Sequence, residues 1–479
     1  MKKLFDKIKL SHWPIIFLTI VLSLVFLLFL FTEKYIYTII AFTIICFASF
    51  KLKIKKFPIV LFIVSMLTKL LVILIINPPI ESDFLVMYEA SKSLMAGDHS
   101  YVNLPYFITW AYQTGHVVYQ ALLLKIIDSV FFLKLINCLA LTGTTMLIYY
   151  IVKEILNEKA ARFSSLSYMF YLHPVLLTTV LTNQHVPTFL FFLALYFIVK
   201  DDFLKSKPVV KYILSGTLIG IGNIMRPEGI VFILTITVYL ICICYKKEKF
   251  KVLLPKVLLV LVSYLVITKG TAFTFESLNI SKNGLGNQDS LWKFVLGTDY
   301  ESQGRYSEND LIYLGDEKKE MEIIKERTIK NPFQFSKLLA IKAKSFWTGN
   351  NLYWSNDYLN REDLKIASHK ISGQKVNEHL SAINEQVYLI TFILALIGLY
   401  SILKRKYDKR LNLFIILLSG YFVIYLFIEI MNRYTYTPRV SIFILAGLGA
   451  NYIYEKSKKY PATKNKVLKR TLFLSQKKN

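Results

Sequence analysis

Acidic residues and cysteines are scarce in this sequence. The 479 residues include 32 Asp and Glu against 58 Lys and Arg, which gives a formal net charge of +26. The four cysteines all lie in apolar runs without metal-ligand spacing, so we expect neither a disulfide framework nor a zinc site. The seven histidines form no HxH or HExxH pattern. No cofactor is therefore predicted from a motif, although a divalent metal stays open.

Extended polar stretches are also rare, because 54% of the residues are hydrophobic. Apolar runs that approach the ~20 residues needed to cross a bilayer recur along the chain, which predicts a polytopic membrane protein. In a soluble protein the positive charge would suggest nucleic acid. Here Lys and Arg lie mainly in short loops between apolar runs, so membrane lipids are predicted partners and nucleic acid is not.

The predicted fold is all-α, with about twelve transmembrane helices and a mixed domain outside the membrane. The predicted spans are 13–32, 35–50, 57–77, 130–152, 163–182, 186–200, 212–225, 228–245, 252–270, 387–403, 411–430 and 437–454. The shortest span, 212–225, stops at the sequence "RPEG". Helices broken by proline are tolerated in a membrane where they line a polar cavity.

The distribution of basic residues predicts the orientation of the chain. If the N-terminus is cytoplasmic, the inner segments carry 34 Lys and Arg and the short outer loops carry 6, so both termini are predicted to be cytoplasmic. The predicted regions are an N-terminal segment and hairpin at 1–56, a transmembrane core at 57–270 with an outer loop at 78–129, an extracytoplasmic domain at 271–386, C-terminal spans at 387–454, and a basic tail at 455–479. The tail is expected to be disordered against anionic lipid.

Two carboxylates follow the predicted span 57–77 on the outer side. Glu81 and Asp83 precede an amphipathic stretch that is expected to lie at the membrane interface. Asp83 could cap that helix, or it could act as a general base at the membrane surface. Glu81 is the weaker candidate of the two.

Two arginines lie at the outer ends of predicted spans. Arg226 comes directly before Pro227, and Arg433 is followed by Tyr434 in "EIMNRYTYTPR". An arginine close to hydrocarbon usually has a partner, and Glu228 or Glu429 could fill that role. Alternatively, the guanidinium groups could bind phosphate oxygens in a bidentate manner.

Histidines are weaker candidates for the same outer site. His185, in "TNQHVP", and His116, at the start of "HVVYQALLLKI", both fall in or near predicted outer segments. Each could contact a phosphate or a sugar. A nucleotide-sugar site is disfavoured, because no Gly-rich phosphate loop faces the cytoplasm.

These features together resemble the GT-C superfamily of polytopic glycosyltransferases, which includes protein O-mannosyltransferases and lipid A aminoarabinose transferases. The resembling pieces are "ESDF", "HVVYQALLLKI", "YLHPVLLTTVLTNQHVPTFLFFLALYF", "LSGTLIGIGNIMRPEGIVFILTITVYL" and "EIMNRYTYTPRVSIFILAG". They extend from about residue 57 to residue 454, with 271–386 similar in placement only. Many relatives carry adjacent acids in the first outer loop, whereas Ser82 separates Glu81 from Asp83 here.

The resemblance implies a membrane glycosyltransferase that uses a polyprenyl-phosphate sugar. The Lys-, Ile- and Asn-rich sequence indicates an AT-rich bacterium, so the lipid is expected to be undecaprenyl phosphate. Asp83 would be the base, and Arg226, Arg433, Tyr434, His185, His116 and Glu81 would contact the substrate or its phosphate. The acceptor would be an extracytoplasmic glycan, glycolipid or protein of a bacterial cell envelope, such as the cell wall. A transporter or lipid flippase, and a polysaccharide polymerase or ligase with the same carriers, remain as alternatives.

Overall fold

The computed structural model describes residues 44–475, apart from 47, 52–53, 201–208, 246–248, 287–288, 290, 349–353 and 367–368; the side chains of 459–475 are also left aside. The predicted span 13–32 and most of 35–50 lie outside the described residues. Throughout the rest of the chain, α-helices predominate.

The N-terminal half of the described chain contains eleven numbered helices. They are α1 Phe57–Ile75, α2 Ser82–Met95, α3 Pro105–Thr109, α4 Thr114–Ile126, α5 Val130–Ile155, α6 Glu158–Met169, α7 Leu172–Leu177, α8 His185–Val199, α9 Val210–Met225, α10 Gly229–Val238 and α11 Phe250–Ser277. A π-helical turn, Tyr239–Cys244, prolongs α10, and short 3-10 turns at Ser100–Asn103 and Ala111–Gln113 flank α3.

The C-terminal half alternates short helices with three long or apolar ones. These elements are α12 Trp292–Thr298, α13 Glu317–Lys325, α14 Pro332–Thr348, α15 Trp354–Arg361, β1 Leu364–Ile366, β2 His369–Ile371, α16 Gly373–Lys404, α17 Leu411–Phe427 and α18 Tyr436–Ser475. The shorter turns are Glu308–Ile312, Glu326–Lys330 and Asn432–Thr435.

Hydrophobic helices confirm the membrane class. Within the described residues, α1, α5, α11 and α16 are long and apolar enough to cross a bilayer. Shorter apolar helices are α8, α9, α10 with its π-turn, and α17. The count of about twelve spans therefore stays a prediction.

One predicted span, 163–182, is wrong as a single helix. Chain direction changes at Phe170 and Tyr171, which separate α6 from α7. Pro174 explains the interruption, because a continuous helix would need a bond from residue 174 to the carbonyl of residue 170, and proline has no N–H to donate. The predicted span is thus a twelve-residue helix followed by a six-residue helix.

The segment 271–386, called the outer segment below after its predicted placement, is mostly helical in its described part. Its strands are β1 and β2, an antiparallel pair in which Lys365 faces Lys370. Helices cross both of its predicted boundaries, because α11 continues past residue 270 and α16 begins before residue 387. The prediction of a disordered tail is also not met, since α18 continues to Ser475.

Small residues allow the central helices to approach closely. A Cβ added to Gly449 of α18 would lie 1.9 Å from the carbonyl oxygen of Leu394 in α16, and one added to Gly398 would lie 2.5 Å from that of Leu445. Helices in membranes gain packing contacts at such positions. The crossing of α16 and α18 places the start of α18 beside the site described next.

Candidate functional site

A cavity forms where α2, the α9–α10 break, α12 and the connection between α17 and α18 meet. Six charged side chains line this site cavity: Asp83, Arg226, Glu228, Lys293, Glu429 and Arg433. The lining also includes Phe84, Met87, Tyr112, Gln113, Asn183, Pro227, Tyr425, Ile428 and Tyr434. Three cations and three carboxylates therefore line one cavity.

Asp83 and Arg433 face each other across the cavity. Nη2 of Arg433 donates a hydrogen bond of 3.3 Å to Oδ2 of Asp83. Glu81 occupies the N-cap of α2 without a side-chain cap bond, so Asp83 lies in the first helical turn and its side chain is not the cap. The Asp83 carboxylate is 40% exposed, which leaves it accessible to a substrate.

The Arg433 guanidinium lies among aromatic rings. Its carbon is 5.4 Å from the ring centre of Trp354 and 5.6 Å from those of Phe84 and Tyr434. Nε is buried and has no hydrogen-bond partner within the described part of the chain. A buried donor without a partner is costly, so this guanidinium is not fully satisfied within the described part of the chain.

Arg226 is held at the break between α9 and α10. Its Nε donates to Oε1 of Glu228, and its Nη1 donates 3.0 Å to Oδ1 of Asn183. The Tyr421 hydroxyl donates 2.8 Å to the other oxygen of Glu228. Arg226 therefore pairs with Glu228, which is one of the two partners considered from the sequence. The "NQH" sequence contributes the amide of Asn183 to the cavity.

Lys293 brings the outer segment into the site. Its Nζ forms an ion pair with Glu429 and lies 4.8 Å from the ring centre of Trp110. The Tyr434 hydroxyl donates 3.4 Å to the same Glu429 carboxylate. Burial lowers the pKa of Lys293, but the charges of Tyr434 and Glu429 outweigh it and raise that pKa above its usual value. The ammonium is therefore charged at neutral pH.

The three cations are neutralised to different degrees. Arg226 and Lys293 each form a close ion pair with a carboxylate that is 8% and 3% exposed, respectively. Arg433 has the longer contact, to the more exposed Asp83. Of the three cations, Arg433 is therefore the one least neutralised by a carboxylate.

Three predicted site residues do not line the cavity. His185 is fully buried, with Nδ1 at 2.8 Å from the Tyr436 hydroxyl. His116 is also buried and stacks on Tyr119, with ring centres 5.6 Å apart. Glu81 points away and lies 3.8 Å from Arg361. Asp83, Arg226, Arg433 and Tyr434 are the predicted residues that the fold brings together.

Sequence analysis missed Lys293 as a site residue and considered Glu228 and Glu429 only as partners. A signal for Lys293 exists in "DSLWKFVLG", where a lysine lies between two aromatic residues. Cations at aromatic-lined sites interact with the ring faces. In the described residues no group of three or more His, Cys, Asp and Glu could hold a metal ion.

Comparisons with known proteins agree with this architecture. The family model described as "Dolichyl-phosphate-mannose-protein mannosyltransferase" matches residues 116–270. The apo structure of the Archaeoglobus fulgidus oligosaccharyltransferase is similar at a TM-score of 0.50 and 11% identity, over 86% of this chain and 52% of that one. No curated protein matches the chain.

Two further structures are similar at lower scores. One is the archaeal oligosaccharyltransferase AglB from Archaeoglobus fulgidus in complex with an inhibitory peptide and a dolichol-phosphate, with a TM-score of 0.47, 13% identity, and coverage of 86% of this chain and 52% of that one. The other is ArnT from Cupriavidus metallidurans bound to undecaprenyl phosphate, with a TM-score of 0.36, 13% identity, and coverage of 82% and 76%.

The predicted resemblance to GT-C membrane glycosyltransferases is confirmed by the family model over residues 116–270 and by the fold shared with the apo oligosaccharyltransferase. The chain spans about half the length of the oligosaccharyltransferase that it matches.

Proposed function

We propose that this protein is a membrane glycosyltransferase that moves a sugar from a polyprenyl-phosphate donor to an acceptor outside the cytoplasm. The observation that carries the proposal is the site cavity, where the Asp83 carboxylate faces Arg433 beside two further cations. The matching family model is named for mannosyl transfer from dolichyl phosphate. A carboxylate and cations are the groups that such a transfer requires.

Asp83 is the base in this mechanism. Its recorded side-chain partner is Arg433 through Oδ2, which leaves Oδ1 for the proton of an acceptor hydroxyl. As that proton moves to Asp83, the hydroxyl oxygen forms a bond to the anomeric carbon, and the bond from this carbon to the phosphate oxygen breaks. A single in-line displacement inverts the anomeric centre without a covalent intermediate.

The cations bind the phosphate and stabilise it as it leaves. Preorganised charges lower the barrier most where new charge develops in the transition state. Arg433 can keep Nη2 on Asp83 while another N–H of its guanidinium contacts a phosphate oxygen, and Lys293 and Arg226 line the same cavity. Arg433 thereby orients the base and contacts the leaving group.

The membrane placement completes the proposal. The cavity is on the extracytoplasmic side of a multi-pass cell-membrane protein, with both termini in the cytoplasm. The donor is an undecaprenyl-phosphate sugar, and the acceptor is a cell-envelope glycan, glycolipid or protein. The transferred sugar is a hexose or a pentose.

Substitution of Asp83 tests the base directly. We expect Asp83→Asn in the full chain, reconstituted with native lipids, to lower transfer at least a hundredfold while donor binding is retained, since removal of a general base typically costs 10²–10⁴ in rate. Glu81→Gln is the matched control, because Glu81 lies two residues away and outside the cavity. Full activity of Asp83→Asn would overturn the assignment.

The substrates can be identified by mass spectrometry of envelope glycopolymers and polyprenyl-phosphate sugars from cells with and without the protein. An accumulated donor and a missing substituent support transfer. A change in the sidedness of the donor without a missing substituent would instead favour a flippase. A change in polymer length would favour a polymerase or ligase.

A further inference from the structure

The segment before α14 and the first turn of α14 expose large apolar side chains. Ile329 and Phe333 are each 74% exposed, more than the other large apolar residues of the outer segment. Isolated apolar residues on a surface need no explanation, but a group of them indicates an interaction site. A further feature of the fold indicates what covers this group.

The exposed group continues the apolar surface of a membrane helix. The ring of Phe335, two residues after Phe333, lies 6.4 Å from that of Phe427 at the end of α17. Phe427 and Val423, one turn earlier in α17, are each 43% exposed. The start of α14 thus lies against the exposed end of α17. Phe residues occur on the apolar face of helices that lie at a membrane interface.

Charge adds a second, independent indication. Residues 332–348 of α14 contain three lysines and no acidic residue. Lys337 and Lys344 are exposed, as is Lys330 just before the helix, and Nζ of Lys337 lies 4.5 Å from the ring centre of Phe333. A helix with exposed apolar residues and basic neighbours is typical of one that lies on an anionic lipid surface.

We propose that Ile329, Phe333, Lys330, Lys337 and Lys344 form a lipid-docking surface at the end of α17 beside the site cavity. The apolar side chains enter the lipid interface, and the lysines contact anionic headgroups. The proposed surface depends on the membrane placement of the chain and not on glycosyl transfer. An experiment can therefore contradict it without contradicting the proposed function.

Hydrogen bonds link the helix that carries the docking surface to the site cavity. Lys342, on the buried side of the same helix, donates 2.7 Å to the carbonyl of Gly297 and 2.8 Å to that of Ile428. Ile428 lines the cavity and directly precedes Glu429. A helix held on the lipid surface therefore also holds one wall of the cavity, where a lipid-linked donor would enter.

Spin labels on the full-length protein in nanodiscs test the surface. A single cysteine is introduced as Phe333→Cys in a variant without the four native cysteines, and Lys319→Cys on α13 is the water-exposed control. We expect a several-fold higher ratio of oxygen to nickel-chelate accessibility at position 333 than at position 319. Replacement of phosphatidylglycerol by neutral lipid should lower the ratio at position 333.

The triple variant Lys330→Gln, Lys337→Gln, Lys344→Gln should remove that dependence on anionic lipid. Equal nickel accessibility at positions 333 and 319 would overturn the proposal, as would spin–spin broadening at position 333, which would show that a second copy of the chain covers the surface. A ratio at position 333 that is the same in both lipids would overturn the part assigned to the lysines.

Discussion

At the scale of single residues, the site is defined by unequal pairing of its charges. Arg226 and Lys293 are neutralised by buried carboxylates, whereas Arg433 has a longer contact with an exposed carboxylate and a buried Nε without a recorded partner. An anion gains most from a cation that is not already neutralised. Arg433 is therefore expected to dominate recognition of the donor.

Replacement of Arg433 by lysine tests this expectation. Lysine keeps the charge but has no planar fork to contact Asp83 and a phosphate together. Loss of one charge-assisted hydrogen bond costs about 1.5–3 kcal/mol, roughly a tenfold to hundredfold rise in the Kd of the donor. Donor binding would be measured by titration of the reconstituted protein. Arg361→Lys, at an exposed position, serves as the control, and unchanged affinity of Arg433→Lys would contradict the assignment.

A second residue-scale feature is a pair of acids in the outer segment. Glu320 is fully buried, and the Gly315 N–H donates 3.2 Å to its Oε1 and 3.0 Å to Oδ2 of Asp289. Burial, followed by the hydrogen bond and charge of Asp289, raises the pKa of Glu320 from 4.5 to about 8. The folded protein therefore keeps a proton that the unfolded chain releases.

This proton makes the stability of the outer segment depend on pH. Between pH 4.5 and pH 8 the native state binds the proton and the unfolded state does not, so the free energy of unfolding falls as pH rises, by up to about 1.4 kcal/mol per pH unit. The protection factor of the Gly315 amide, which corrects for the intrinsic rise of exchange with pH, should fall correspondingly. Glu320→Gln should flatten this dependence, whereas exposed Glu317→Gln should retain it; equal slopes for both variants would contradict the shared proton.

At the scale of elements, the connection between α17 and α18 is fixed by the outer segment. The Glu429 N–H donates 2.8 Å to the carbonyl of Lys293, the Ile430 N–H donates 2.8 Å to that of Gly304, and Lys342 binds the carbonyl of Ile428. These contacts hold the strand-like segment that carries Glu429 into the cavity. Burial also lowers the pKa of Lys342 to about 7.

Loss of the Lys342 amine should loosen that segment. Lys342→Met leaves two buried carbonyls without a donor, at about 1–3 kcal/mol for each unsatisfied group. We expect reduced transfer together with faster hydrogen exchange at Glu429 and Ile430, while Lys319→Met, on the exposed side of α13, leaves both unchanged. Normal exchange at these amides in Lys342→Met would show that other contacts hold the segment.

The crossing of α16 and α18 is the second element-scale determinant. Since a Cβ at Gly449 would lie 1.9 Å from a backbone oxygen, Gly449→Ala should separate the helices and destabilise the fold by about 1–3 kcal/mol. Thermal unfolding in detergent measures this change. Gly420→Ala in α17 is a suitable control, because an added Cβ there meets no atom closer than 3.9 Å; a Tm shift of equal size for both variants would argue against close packing as the cause.

At the scale of the whole molecule, the side of the membrane on which the cavity opens decides whether an extracytoplasmic acceptor can bind there. Positions 306 and 457 are both exposed, one in the outer segment and one in the basic tail. In a cysteine-free background we expect a membrane-impermeant maleimide to label Tyr306→Cys in intact cells and Ser457→Cys only after lysis. Labelling of both positions in intact cells, or the reverse pattern, would contradict the predicted topology.

Sequence patterns predicted the membrane class and four residues of the site cavity. Hydropathy depends on neighbouring residues alone, so apolar helices are visible without tertiary information. Asp83, Arg226, Arg433 and Tyr434 were grouped because the counting of basic residues placed them on one face of the membrane. Their catalytic and binding roles stay predictions.

The same reasoning was less successful for residues inside the bundle. Placement on the outer side suggested His185 and His116 as ligands, but it does not determine depth, and both side chains point into the packed core. Lys293 was missed for a different reason: its aromatic neighbours suggest a site, but they do not indicate that α12 turns this lysine toward Glu429, 136 residues later in the chain.

Local chemistry thus determined that the chain carries long apolar helices and that Pro227 ends a shorter one. The interruption at Pro174 was not predicted. Only the tertiary structure decided which charges meet. Asp83 and Arg433 are 350 residues apart in the chain, and their contact depends on the packing of several helices whose crossing angles are not encoded in any one of them. The pairing of cations with acids, and hence the availability of Arg433 for a phosphate, is therefore a property of the assembled bundle.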